Sequence, residues 1–352
     1  MTLAVLDMTV EQLAAAMEAL GQPAFRARQV ADWVYRKGVG DAARMSNLPA
    51  ALRDDLAVLT SRVLARADSA DGTVKLLVGY ADGQAVECVM IPEARRATAC
   101  LSTQTGCSLA CTFCASGAGG PGRNLTGSEI LQQLLHLQQV APRRIGNVVF
   151  MGAGEPLANY RATVEAVGAL VDPQRFGISA RNVVVSTIGL PAQIRRLARL
   201  KLPITLALSL HAPNDALRRR LMPRARASID EILAAAQEFF ESRSREVTLE
   251  YLLLAGVNDS GLCAEGLSRL ARRLRCSVNL IRYNPAPGLP YEAPPSQAVE
   301  AFARRLRDRG VNVHVRRSRG SDIAAACGQL RRQHLADQPP QGAGGDSGSV
   351  ST

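Results

Sequence analysis

Between residues 97 and 317 the chain alternates short, nearly continuous apolar runs with longer amphipathic stretches. That alternation restricts the fold more than any other feature. The apolar runs cover residues 97–103, 147–152, 182–188, 204–210, 248–254 and 277–284, and a seventh at 311–317 reads as an added edge. Helical stretches lie near 126–140, 160–171, 191–200, 228–241, 262–274 and 295–309. A strand apolar on both faces needs a cover on both, and crossover helices supply it, so the pattern predicts a parallel sheet clothed in helices. Six units are too few for a closed eightfold barrel. The expected fold class is α/β, a partial (β/α)6 TIM-like barrel left open at one side.

Residues 9–65 read as helices. Val10, Leu13, Ala14, Met17 and Leu20 recur at helical spacing before Gly21-Gln22-Pro23. The next stretch sets Phe25, Val30, Trp33 and Val34 on one face and Arg26, Arg28, Arg36 and Lys37 on others. Residues 73–91 hold two strand-like runs around Asp82-Gly83, a hairpin signal. The expected division is a helical unit over 1–70, a hairpin linker over 71–96, the barrel over 97–320 and a short C-terminal segment over 321–335. Residues 336–352 are rich in Gly, Pro and Ser and are expected to be disordered.

The 352 residues are 47% hydrophobic and 21% charged, which excludes a largely disordered chain and a collagen-like repeat. Lys+Arg 42 against Asp+Glu 31 gives a formal charge of +11 and suits a polyanionic partner. Candidate phosphate contacts are the basic segments 217–226, 316–319 and 331–332, whereas Arg272 and Arg305 read as solvated helix positions. The first twenty residues have no basic leader pattern, and no apolar run approaches the length needed to span a bilayer, so a cytoplasmic location is expected.

Four of the eight cysteines fall within fifteen residues, and three form Cys107-Ser-Leu-Ala-Cys111-Thr-Phe-Cys114 directly after the first barrel strand. Thiols clustered in a reducing compartment suggest metal or redox chemistry. Three thiolates in one loop suit three irons of a [4Fe–4S] cube, leaving the fourth iron open. The other readings are a zinc site completed from afar, or buried free thiols. No fourth Cys or His follows at zinc-finger spacing.

This loop, placed after the first strand of a partial barrel, resembles the radical S-adenosylmethionine (SAM) superfamily. Further segments narrow the resemblance to RlmN-type RNA methyltransferases. They are residues 122–130, Phe150-Met-Gly-Ala-Gly-Glu-Pro156, Val185-Ser-Thr-Ile-Gly189, Ser209-Leu-His-Ala-Pro-Asn-Asp215, Leu221-Met-Pro223, Glu250-Tyr251, 256–259, Asn284-Pro285 and 325–330. The match runs from about residue 20 to 332. The resemblance implies a [4Fe–4S] cluster on Cys107, Cys111 and Cys114, and SAM contacts from Gly154, Glu155, Ser186, Ser209, Leu210, His211 and Asn284. Two SAM molecules are consumed per methylation.

It also implies that Cys327 takes a methyl group from one SAM, and that an adenosyl radical from a second activates that methyl for addition to C2 of an adenine. Cys100 then resolves the covalent RNA adduct by forming a disulfide, and Glu87 matches a proton acceptor, with removal of the C2 proton open between Glu87 and Cys100. The implied substrates are 23S rRNA and tRNA, the N-terminal unit is an accessory RNA-binding domain, and the protein is a monomer. The electron comes from an external donor such as flavodoxin or ferredoxin.

Cys88, Cys263 and Cys276 match no functional position and are expected only to pack. Ala153, Ile188 and Arg282-Tyr283 depart from the usual family wording and bear on the substrate. A Cfr-type methylation at C8 shares every catalytic residue. A non-catalytic iron–sulfur RNA-binding protein needs neither Cys100 nor Cys327, and a radical activase needs no methyl-carrying cysteine.

Overall fold

The computed structural model describes residues 2–118, 120–200, 202–316 and 319–323. Cys327, Arg331, Arg332 and the 336–352 tail lie outside the described residues.

Among the described residues ten strands form one sheet. In chain order they are β3 (Arg62–Asp68), β4 (Val74–Gly79), β5 (Ala85–Pro92), β6 (Ala97–Cys100), β7 (Ile145–Phe150), β8 (Val183–Thr187), β9 (Thr205–Ser209), β10 (Val247–Leu253), β11 (Cys276–Arg282) and β12 (Val313–Arg316). Two shorter strands, β1 (Leu3–Ala4) and β2 (Leu56–Ala57), pair separately and in parallel. Strands β6 to β11 are the six expected parallel strands, each beside its sequence neighbour. The anticipated edge is β12, parallel to β11. At the opposite edge β3, β4 and β5 run antiparallel and join β6.

The covering helices are α5 (Gly127–Val140), α6 (Tyr160–Val171), α7 (Pro191–Arg199), α9 (Ile229–Arg243), α10 (Gly261–Ala271) and α11 (Ser296–Arg307). Capping boxes start two of them: Thr126 with Glu129 on α5, and Ser228 with Glu231 on α9. Val148, Val185, Leu206, Leu249 and Leu280 are fully buried between sheet and helices. Tyr251 stacks on Phe302 of α11 with ring centroids 5.5 Å apart.

The N-terminal unit holds α1 (Val10–Ala19), α2 (Phe25–Ala31) with a π-helical continuation to Arg36, and α3 (Ala50–Asp54). Val30 and Val34 are buried as expected, but Phe25 is 47% exposed, with the Arg26 guanidinium over its ring. The expectation of helices throughout 9–65 fails at its end, where Arg62–Asp68 is a strand on β4. Its side chains are mostly exposed, so no apolar alternation marks it.

Two short helices also lacked a sequence signal, α4 (Ala115–Ala118) and α8 (Asp215–Leu221). Cys88 lies in the main core, with Cys263 and Cys276 packed against it. Among the described residues, no helix is long and apolar enough to cross a membrane.

Candidate active site

The C-terminal ends of the parallel strands open into a cavity of about 660 Å³. Ligands bind at this end in such barrels because the loops there are free to vary while the strands hold them rigidly. Cys107, Cys111 and Cys114 line it, together with Cys100, Gly154, Glu155, Ser186, Ser209, His211 and Asn284. Two predicted residues lie elsewhere. Leu210 is buried in the core, its N–H donating to the Glu250 carbonyl. Glu87 is also buried, in an ion pair with Lys75 at 3.3 Å, and is not part of the cavity lining.

The cysteine loop turns sharply. Ala110 adopts a left-handed φ of 49°, and the Cys107 N–H donates to the Gly120 carbonyl at 3.1 Å. The end of α8 (Asp215–Leu221) and the residues after it brace the loop: the Leu221 carbonyl accepts from the Thr112 N–H at 2.9 Å, and Arg224 donates to the Ser108 carbonyl at 2.6 Å.

The donor set fits a cluster. The three thiols share one wall of the cavity and feel one another's charge. A cube takes one thiolate on each of three irons, which three cysteines in one loop can supply. Burial pushes the Cys107 and Cys111 thiols up, so iron must displace their protons as it binds.

Arg218 of α8 corrects the expectation that segment 217–226 is a row of phosphate contacts. It is 2% exposed and donates to the carbonyls of Ile188 and Ala227, while its Nε has no hydrogen bond. Its charge acts on Cys111 and His211. Arg219, Arg220, Arg224 and Arg226 remain exposed, as do Arg272 and Arg305.

Glu155 ties two strand ends together. Its Oε2 accepts from the Ile188 N–H at 2.9 Å and its Oε1 from the Leu157 N–H at 3.0 Å. Gly154 beside it has φ 98°, and a Cβ there would lie 2.6 Å from the Gln104 Cβ, so only glycine fits.

Burial raises the Glu155 carboxyl from 4.5 to about 7, against the lowering by its hydrogen bonds. The folded chain therefore holds this proton to higher pH than the unfolded chain. The associated stability is complete below 4.5 and is lost as pH rises through 7, a change of about 3 kcal/mol. Denaturant unfolding of the cluster-free protein at pH 5 and pH 8 should show this loss, and Glu155→Gln should remove it. Equal pH dependence in the two proteins would contradict the assignment.

His211 is held by the Leu252 N–H, which donates to Nδ1 at 3.0 Å. The ring proton therefore sits on Nε2. Burial, aided by Arg218, lowers its pKa to about 3, so the ring is neutral near pH 7. Ser186 and Ser209 share a hydrogen bond at 3.3 Å.

The departures from family wording also have places. Ile188, Arg282 and Tyr283 line the cavity, and the Ala153 N–H donates to Ser102. Arg316 and Arg319 stand on the rim. The segment after β12 is pinned to the start of the hairpin, where the Gly320 N–H donates to Asp71 and Ser69 and the Ala70 N–H donate to Asp322.

An open six-stranded parallel barrel with a three-cysteine loop at its mouth defines a radical SAM enzyme, and residues 101–263 match the family model "Radical SAM superfamily". Residues 3–61 match "Ribosomal RNA large subunit methyltransferase N-terminal domain". The chain is 45% identical over 342 residues to a protein of Gloeobacter violaceus named "Probable dual-specificity RNA methyltransferase RlmN", covering 96% of this chain and 98% of that one. A protein of the same name in Thermus thermophilus is 45% identical, with 93% and 96% covered.

The crystal structure of a radical SAM methyltransferase from Sphaerobacter thermophilus superposes with a TM-score of 0.89 at 42% identity, covering 93% of this chain and 98% of that one. The chain belongs to the RlmN family of radical SAM methyltransferases. With that membership come the superfamily's [4Fe–4S] cluster and SAM.

Proposed function

We propose that this enzyme methylates C2 of an adenosine in 23S rRNA and of the adenosine 3′ to the anticodon in tRNA. The observation that carries the reading is one cavity shared by Cys100, the three-cysteine loop and the SAM-contact residues. The names of the relatives support RNA as substrate.

An adenine C2–H is not nucleophilic, so direct attack on the sulfonium methyl is closed to it. A thiolate is a strong nucleophile, and Cys327 takes the methyl of a first SAM by displacement, releasing S-adenosylhomocysteine. Cys107, Cys111 and Cys114 would hold the cluster, which would supply the electron, drawn from an external donor such as flavodoxin or ferredoxin, for cleavage of a second SAM to methionine and a 5′-deoxyadenosyl radical. Cys327 holds its S-methyl group where it loses a hydrogen atom to that radical, and the resulting methylene adds to C2. The adduct radical then loses the C2 proton and one electron, which would return to the cluster oxidised in the earlier transfer. Of the two candidate acceptors for that proton, Cys100 lines the cavity and Glu87 does not. Cys100 finally attacks the Cys327 sulfur, the S–C bond breaks, the released carbon takes a proton to become the new methyl, and a disulfide remains for an external thiol to reduce.

Glu155, Gly154, Ser186, Ser209, His211 and Asn284 would hold SAM: carboxylate to ammonium, hydroxyls and the His211 Nε2–H to polar groups. The target base must leave its stack to enter the cavity. The N-terminal helical unit, which ends before β3, docks the RNA, and the enzyme acts as a monomer in the cytoplasm. Incubation with SAM carrying a deuterated methyl should label the peptide containing Cys327 before RNA is added. Label found only on RNA, and never on the protein, would contradict the carrier.

A further inference from the structure

One buried carboxylate in the cavity has no part in the account above. Glu250 lies mid-strand on β10, in register with Ser209 of β9 and Asn279 of β11. It is 3% exposed and lines the cavity. Its Oε1 accepts from Asn279 Nδ2 at 2.9 Å, which fixes the carboxylate plane. Its Oε2 is buried without a hydrogen bond, 3.7 Å from the Arg316 guanidinium. Arg316 is on the rim and also reaches Met151 Sδ. A buried acceptor left open is costly unless a ligand satisfies it. The pair thus presents one acceptor beside one donor to whatever enters.

We propose, resting on the adenosine-methylating reading above, that Glu250 and Arg316 read the amino edge of the target adenine. Oε2 accepts from the exocyclic N–H, and Arg316 donates to the neighbouring ring nitrogen. Guanine carries a carbonyl oxygen where adenine carries the amine, so its lone pairs would face the carboxylate and be repelled.

The test uses the reconstituted enzyme, wild type and Glu250→Gln, with RNA hairpins carrying adenosine or purine riboside, which lacks the amine, at the target position. Asn279 must keep the Gln oxygen turned toward itself, so the substitution aims an NH2 at the cavity and replaces an acceptor with a donor. Wild type should prefer adenosine in kcat/KM by roughly tenfold to a hundredfold. Glu250→Gln should compress that ratio to about threefold or less, with SAM affinity within about twofold of wild type.

An unchanged ratio in the variant overturns the proposal. So does a loss of SAM affinity that matches the loss in rate, which would put the carboxylate on the SAM ribose. Should Glu250→Gln fail to hold its cluster, Glu250→Asp, which keeps the charge but withdraws it, is read in the same way. A wild type inactive on both hairpins would instead count against the methylation reading itself.

Discussion

Replacing Cys100 with alanine stops product release and leaves enzyme and RNA joined. Cys100 closes β6 at the cavity, and in this account it is the thiol that breaks the bond between Cys327 and the methylated base. Without it, methyl transfer to Cys327 and addition to C2 still proceed, and the adduct has no exit. Multiple turnover should fall on the order of 10³-fold or more, as when one member of a catalytic unit is removed. A protein–RNA band resistant to denaturation should appear in step with that loss. Normal turnover by Cys100→Ala, with no adduct, would contradict the resolving role.

The second large effect is expected at Cys111. With this thiol gone, two ligands remain for a cube that needs three. Cys111→Ala, reconstituted anaerobically, should hold little iron, lack the visible absorption of a [4Fe–4S] cluster, and cleave no SAM. The fold should survive, because Cys111 only borders the small apolar group of Ile188, Leu221, Met222 and Tyr283. The cost there is about 1 kcal/mol. Full cluster content in this variant would show that the loop is not the ligand set.

Cys100 was legible only through the resemblance to the family, whose second catalytic cysteine it matches. Cys111 was legible because its signal is local, the Cys107–Cys114 spacing lying within one loop. The six parallel strands were legible for a similar reason, since burial on both faces leaves continuous Val, Ile and Leu. Strand β3 was not. As an exposed edge it carries Arg62, Arg66 and Asp68, and nothing in its pattern demands a sheet.

What depends on register or on a distant partner was also hidden. Arg218 reads as one of three consecutive arginines in a basic segment, and only the fold shows it turned inward to the Ile188 and Ala227 carbonyls. In the sequence Glu250 stood out only as part of the Glu250-Tyr251 segment shared with the family. The sequence pattern had no means of showing that Asn279 would satisfy one oxygen and leave the other open. The ion pair of Glu87 with Lys75 likewise depends on the pairing of two antiparallel strands.

The central claim is that this cavity delivers a methyl group to C2 of adenine. Anaerobically reconstituted enzyme is given SAM, a reductant and unmodified 23S rRNA or tRNA, and the digested nucleosides are resolved by mass spectrometry against authentic standards. The account predicts 2-methyladenosine. Finding 8-methyladenosine, or methylation at any other position, would contradict it.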